Sequence, residues 1–470
     1  MSAPATTEKK YLKWYQKLAY GSGDLASNCS YGLVSSFVLL YLTGTLGLDS
    51  AIIGSLMLAS KVLDGISDVI FGTLIDRTHS KLGKARPWML FGQVGVSLCL
   101  FLLFAIPAGS TTMQYIYFFI VYTALNAVFY TANGIAYSSL VALITKNNNE
   151  RVQLGSFRFM FAVVTNIFMG FAVTGMVEKF GSGAAGWRTT ALIFAIVGLV
   201  VNTISCLAVK ELPEEELSGN TSEAAEEGKA VAKEKKHGFA ETAKILIHNK
   251  YYLMILAIYI VYYIMSNLTT GAGVFCATYY WGDGSLLGQF SMMKMFPVII
   301  ALAIAPVLIK KTGSMQKVNF WGYAISSVLG IPMIYFAMQK NISMFLLFMF
   351  IKGIFAGTLS GSLNALIAEA SGYTTRTTGI HMDGMMYSCS SLGVKVGGGI
   401  GTAAVGWLLK LGGFVGTATV QSESAIRMIF NLYITFPFVI GIIITVLLAF
   451  LDVEKANKKW DAEHQKEAQA

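Results

Sequence analysis

Three charged residues, Lys61, Asp64 and Asp68, stand at i, i+3 and i+7 within the apolar run 51–75, so a helix there carries them on one face. A charge at membrane depth costs about 2.5 to 3.5 kcal/mol on insertion scales, so a stripe of three needs a compensating role. One such role is an ion-pair staple between helices, but a single lysine neutralises only one of the two carboxylates. The other is to bind a small cation: carboxylate oxygens are hard ligands that suit sodium, or they take a proton. Counting inward from Ala51 at 1.5 Å per residue places the two aspartates roughly 20 to 25 Å along the helix, a little past the midplane. Two neighbouring stretches offer further oxygens. The first holds Asp24, Ser27 and Asn28, with Gly21 and Gly23 permitting close helix approach, and the second holds Tyr130, Thr131, Asn133 and Tyr137. These groups can complete a cation shell and bond the hydroxyls of a sugar, or simply hydrogen-bond between helices.

Other charges lie inside apolar runs. Arg158 sits about five residues from a span end, within reach of the interface by snorkelling. Lys395 is mid-span among Ser391, Gly393, Gly397, Gly398 and Gly399, small residues that let helices close up and leave a lysine facing a bundle interior. Lys294 and Lys352 are two more cations at depth. The acids Asp24, Asp64 and Asp68 all belong to the first half of the chain, so the second half is positive at depth. That asymmetry predicts a carboxylate on the substrate, as in a uronide, meeting Lys294 and Lys352.

The elements that must hold these residues are membrane helices. Of 470 residues 54% are hydrophobic and only 13% charged, which no ordinary soluble core reaches. Long apolar stretches fall near 25–45, 51–75, 87–107, 113–142, 153–176 and 187–209, then near 249–277, 286–309, 318–338, 343–370, 382–408 and 426–451. Twelve spans follow. The 35 Lys and Arg divide as 25 on the side of the termini, five on the other side and five within spans, which predicts both termini in the cytoplasm. The net charge of +9 is thus a topology signal, and nucleic-acid binding has no support. The polar, basic first sixteen residues lack a cleavage site, so the first span is expected to stay as a signal anchor. Five cysteines, each alone in an apolar stretch, predict neither disulfides nor a metal site.

The segment 211–238 is polar and poor in aromatics, and reads as a linker between two bundles, followed by a short surface helix over 239–247. Equivalent spans of the halves lie about 234 residues apart, and the turns after spans two and eight echo each other: Asp76 to Lys84 in one, Lys310 to Lys317 in the other. The expected organisation is a cytoplasmic segment 1–17, a six-helix bundle 18–210, a cytoplasmic linker 211–248, a second six-helix bundle 249–452 and a cytoplasmic tail 453–470.

With these residues in hand, the chain resembles the glycoside-pentoside-hexuronide:cation symporters, the melibiose-permease-like branch of the major facilitator superfamily, over nearly its whole length. The resemblance is carried by Tyr20-Gly21-Ser22-Gly23-Asp24, by Lys61 through Asp68, by Arg77 through Gly83-Lys84-Ala85-Arg86-Pro87-Trp88, and by Phe157-Arg158 and Lys395-Val396-Gly397-Gly398. It implies that Asp64 and Asp68, assisted by Thr131 and Asn28, hold the coupling cation, sodium or a proton. It also implies that Asp24, Ser27, Asn28, Asn133, Tyr137, Arg158, Ser391 and Lys395 contact the sugar. The chain departs from melibiose carriers at Ser27-Asn28, where they have a Lys-Asp pair, at Asn133-Gly134, where they have an acid, and at Tyr137-Ser138, where they have a nearby Trp. These departures weigh against a melibiose carrier, and Asn28 resembles the glucuronide and pentoside branches more closely.

The expected protein is all-α, with twelve transmembrane helices in two pseudo-symmetric bundles, a multi-pass protein of the cell membrane. It works as a monomer in the lipid bilayer, needs no cofactor beyond its coupling cation, and is not an enzyme. Its expected mechanism is alternating access, with Arg77, Lys84, Arg86, Arg151, Lys310, Lys311 and Arg376 in gating loops at the cytoplasmic face. Two other readings are an uncoupled facilitator or lipid-moving relative on the same fold, and an intramembrane prenyltransferase using paired aspartates. The latter needs a second acidic cluster, and Glu369 and Asp383 are too widely spaced to supply it.

Overall fold

The computed structural model describes residues 9–213, 216, 245–380, 382–418 and 420–467. Most of the expected linker, and the start of the surface helix expected from Phe239, lie outside these residues. Among the described residues there is no β-strand, and helix dominates throughout. Eleven helices are long and apolar enough to cross a membrane, and a twelfth, Ser50–Asp76, carries the charged stripe over 27 residues. In chain order they are α1 (Trp14–Thr45), α2 (Ser50–Asp76), α3 (Arg86–Leu103), α4 (Thr111–Ile144), α5 (Asn148–Lys179) and α6 (Gly183–Leu207). The second half holds α7 (Lys250–Tyr280), α8 (Leu286–Thr312), α9 (Met315–Met338), α10 (Ile342–Thr378), α11 (Asp383–Leu411) and α12 (Glu423–His464). The first helix begins earlier than the apolar run suggests. Trp14–Gly21 forms a short helix of mixed polarity that passes through Ser22 into Gly23–Leu40.

Helix starts are written in the sequence. Ser110, Asn147, Asn249, Ser314, Asn341 and Ser422 each accept a first-turn N–H through the side chain, and Pro87 occupies the first turn of α3. Gly313 and Gly379, at φ 64° and 71°, end α8 and α10 in the left-handed conformation that a side chain would oppose.

Contacts divide the described residues into two compact units, one within Met1–Leu48 and Ala59–Lys236, the other within Asp49–Leu58 and His237–Ala470. The first unit buries Tyr20, Met89, Ala136, Leu140 and Leu154 in one apolar cluster. The second buries Ile255, Ile258, Leu359, Leu366 and Leu448 in another. In the second unit α11 lies directly on α7. A methyl group at Gly401 would stand 2.6 Å from the Ile264 carbonyl, and one at Gly393 or Gly397 would run into Tyr259 or Ile260. Spacing by four puts these glycines in one stripe, the small-residue seam expected of membrane helices.

The halves repeat in detail. In the first unit, Glu211, just past α6, accepts hydrogen bonds from the backbone N–H groups of Lys84, Ala85 and Arg86 at 2.7, 3.0 and 3.0 Å, capping α3. In the second, Glu454 of α12 accepts from Met315 and Gln316 N–H at 2.8 and 3.0 Å and from the Ser314 hydroxyl, capping α9. A carboxylate just past the sixth helix of the first unit, and one near the end of the sixth helix of the second, thus satisfy the free N–H groups of the third, where the helix dipole favours negative charge.

Candidate functional site

In the first unit α2 divides by face. Val62, Ile66 and Val69 are exposed at 62%, 59% and 73%, as a lipid-facing stripe should be, while Lys61, Asp64 and Asp68 are partly buried. The Lys61 ammonium lies 3.6 Å from Asp64 Oδ2 and 5.7 Å from the ring centre of Tyr31, which stacks on Tyr130 at 5.4 Å. The other oxygen, Asp64 Oδ1, accepts a hydrogen bond from the Thr131 hydroxyl at 2.6 Å.

Thr131 is placed by an irregularity in α4. The segment Ala124–Tyr130 is wound as a π-helix, and Thr131 follows it directly, with its hydroxyl also 2.9 Å from the Asn126 carbonyl. Widened turns of this kind re-aim the residues after them and recur at functional sites. The π-helical winding is not visible in the local sequence, which reads as ordinary apolar helix.

A second cluster joins α1, α4 and α5. Arg158 Nε donates to Asp24 Oδ2 at 2.6 Å, and its guanidinium carbon lies 4.2 Å from the ring centre of Tyr137. The two side chains of the ion pair are 25% and 17% exposed, so Arg158 is paired within the bundle. The helices can approach this closely because of the two glycines. A Cβ on Gly21 would stand 2.6 Å from that of Phe157, and one on Gly23 would stand 2.8 Å from the Tyr137 ring. Tyr20 and Tyr137 then lock α1 to α4 reciprocally, each hydroxyl donating to the other's carbonyl at 2.5 and 2.8 Å. One turn beyond Asp24, Asn28 donates to the Asp24 carbonyl at 2.7 Å and accepts from Asn166 Nδ2 at 2.9 Å, while Ser27 is half-buried on the same stretch.

Not every expected site residue converges here. Asn133, 2% exposed, turns to α3 and α6, its Nδ2 donating to the Met89 carbonyl at 2.7 Å and lying 3.4 Å from Asn202 Oδ1. Tyr137 is equally buried, and only its hydroxyl reaches Asp24, at 3.3 Å. Ser391 and Lys395 lie on α11 of the second unit, one exposed and the other partly buried. Asn166 escaped the sequence reading, although its spacing of eight from Arg158 on one helix keeps it on the same polar stripe.

The loop residues take local partners. Arg86 Nε donates to the Cys206 carbonyl at 3.2 Å, and Arg151 Nε to the Thr145 carbonyl at 3.0 Å. Arg376 pairs with Asp461 at 3.0 Å in the second unit. The backbone N–H of Lys84 goes to Glu211, and Arg77, Lys310 and Lys311 are exposed. Glu150, unnoticed in the sequence, gathers Lys17 at 3.0 Å, the Thr145 hydroxyl and the N–H groups of Tyr11 and Leu12, tying the start of the chain to α5.

Taken together, the membrane-spanning helices of the first unit hold Lys61 against Asp64 and Arg158 against Asp24, with Asp68 one turn further along α2. The array offers carboxylate and hydroxyl oxygens for a cation, and charged and amide groups for a polyhydroxylated solute.

Known proteins share this arrangement of sequence. The profile of the family described as MFS/sugar transport protein matches residues 19–455. The isoprimeverose transporter of Lactiplantibacillus pentosus is 26% identical, over 100% of this chain and 96% of its own. The inner membrane symporter YicJ of Escherichia coli (strain K12) is 24% identical, over 92% and 90%. Among solved structures, that of a D-xylose-proton symporter superposes with a TM-score of 0.65 at 13% identity, covering 94% of this chain and 98% of that one, which is a likeness of fold. These matches run over nearly the whole chain and are to transporters, which goes against the prenyltransferase reading. The chain is a multi-pass membrane transporter with the major facilitator fold and belongs to the MFS/sugar transport protein family.

Proposed function

We propose that the protein couples the uptake of a glycoside, pentoside or hexuronide to a sodium or proton gradient by alternating access. The observation that carries this reading is the Asp64 carboxylate, held at depth with the Thr131 hydroxyl on one oxygen and Lys61 beside the other, in a chain whose relatives include a sugar transporter and a symporter. Asp64 and Asp68 serve the coupling cation, and Thr131 positions Asp64. Asp24, Arg158, Asn28 and Ser27 face the sugar, whose hydroxyls match alternating charged and amide groups. Asn133 and Tyr137 act behind them, holding α4 against its neighbours. Ser391 and Lys395 contribute sugar contacts from the second unit. The basic loops lie in the cytoplasm with both termini, and the monomer in the cell membrane is the working unit.

The test is uptake of labelled sugar into right-side-out vesicles, with imposed sodium or pH gradients. Asp64→Cys and Asp68→Cys are each expected to abolish gradient-driven accumulation while sugar exchange partly survives. Accumulation at the wild-type level in either variant refutes the assignment. Wild-type flux indifferent to both gradients would make the protein an uncoupled facilitator.

A further inference from the structure

The second unit contains a cavity of about 180 Å³, formed by its own helices α7, α8, α9, α10 and α12. Two lysines line it, Lys294 and Lys352, roughly 12 and 15 Å along α8 and α10 from their N-terminal ends. No lining residue is acidic. Among the described residues the Lys294 ammonium reaches only neutral hydroxyls, Thr269 Oγ1 at 3.3 Å and Thr270 Oγ1 at 3.2 Å. Lys352 makes no hydrogen bond or ion pair among the described residues. Tyr323, 2% exposed, lines the same space, and its hydroxyl has no hydrogen-bond partner.

Each of these features is costly by itself. Ammonium groups at membrane depth need a counter-charge, and a buried hydroxyl needs a partner. All three face one space, so one occupant can answer them together. A halide would answer the charge alone, because the cavity is many times the size of a single water and serine and tyrosine hydroxyls surround it. We propose that this cavity binds a small hydroxylated organic anion, its carboxylate held by Lys294 and Lys352 and its hydroxyls by Tyr323 and the neighbouring serines Ser266 and Ser326. The site is built wholly from the second unit and uses none of the residues assigned above to the cation and the sugar, so its test is one of binding.

The full chain in a neutral detergent is titrated with sodium glucuronate, with glucose plus an equal concentration of sodium chloride as control, and followed by thermal melting and isothermal calorimetry. Glucuronate is expected to raise the melting temperature with concentration, since a ligand of the folded state stabilises it by mass action, and the control is expected not to. Lys294→Gln and Lys352→Gln should each weaken glucuronate by about tenfold or more, the loss of a charge-assisted hydrogen bond, whereas Lys352→Arg should retain most of the affinity. If the glutamine variants do not fold, Tyr323→Phe and Ser326→Ala take their place, and a glucuronate affinity lowered in neither overturns the proposal. Equal stabilisation by chloride, no stabilisation by glucuronate, or an affinity unchanged in both folded glutamine variants overturns the proposal.

Discussion

The ion pair between Asp24 and Arg158 gives the most exacting test of the architecture around the candidate site. Replacing Arg158 with Gln leaves a carboxylate among α1, α4 and α5 with only the Tyr137 hydroxyl, at 3.3 Å, to answer it; Asp24→Asn leaves the guanidinium against a tyrosine ring. Stripping one partner from a fully buried pair costs about 3 to 5 kcal/mol, whereas a solvent-exposed pair contributes about 1 kcal/mol or less. At 17% and 25% exposure and 2.6 Å this pair lies nearer the buried limit, so each single variant should lose about 2 to 3 kcal/mol of stability. Removing both charges leaves two amide-bearing side chains that can bond each other, so the double variant should be more stable than either single one, which requires a coupling of about 3 kcal/mol, larger than either single loss. Melting of the purified protein, read from tryptophan fluorescence, measures all four corners of the cycle, and sugar binding by the same samples separates structure from recognition. Recovered stability without recovered sugar binding is the expected pattern. A double variant that loses the sum of the two single losses would show that the two charges do not act as a pair.

Thr131→Val keeps the shape of the residue and removes its hydroxyl, which should raise the cation concentration for half-maximal uptake by about tenfold or more while sugar exchange stays near the wild-type level; an unchanged cation dependence would separate Thr131 from Asp64. Glu211→Ala and Glu454→Ala each free backbone N–H groups at a helix start and should cost about 1 to 2 kcal/mol, seen as a lower melting temperature, with Gln restoring part of it. Gly397→Val forces a branched side chain into the Ile260 carbonyl and should abolish the stable fold of the second unit, which protease resistance in detergent would report.

The features legible in the sequence are those set by short-range geometry or by the solvent. The stripe Lys61, Asp64 and Asp68 follows from helical spacing alone, as do the glycine seam of α11 and the number of apolar runs, because the bilayer imposes their length. The loop echo between the halves pointed to a repeat, although the shared carboxylate cap at Glu211 and Glu454 emerged only from coordinates. What remained hidden depended on distant partners. Arg158 sits 134 residues from Asp24, so its charge was readable and its partner was not. Asn133 and Tyr137 carry the same polar groups whether they face a solute or a neighbouring helix, and composition does not distinguish the two. The sequence offers Thr131 as one oxygen among several and the resemblance assigns it to the cation, but the π-helical segment that aims it arises from packing.

That π-helical segment has a consequence for charge. A threonine hydroxyl has one hydrogen, and here two oxygens claim it: the Asp64 carboxylate and the Asn126 carbonyl. An ionised Asp64 draws the hydrogen to itself and leaves the carbonyl with the backbone N–H of Thr131 alone. A neutral Asp64 brings its own hydrogen, donates it to the threonine oxygen and returns the threonine's to the peptide group, so that every member of the chain is satisfied. The protonation state of one side chain on α2 therefore sets the bonding of a peptide group on α4, and a labelled Asn126 carbonyl would let vibrational spectroscopy read it.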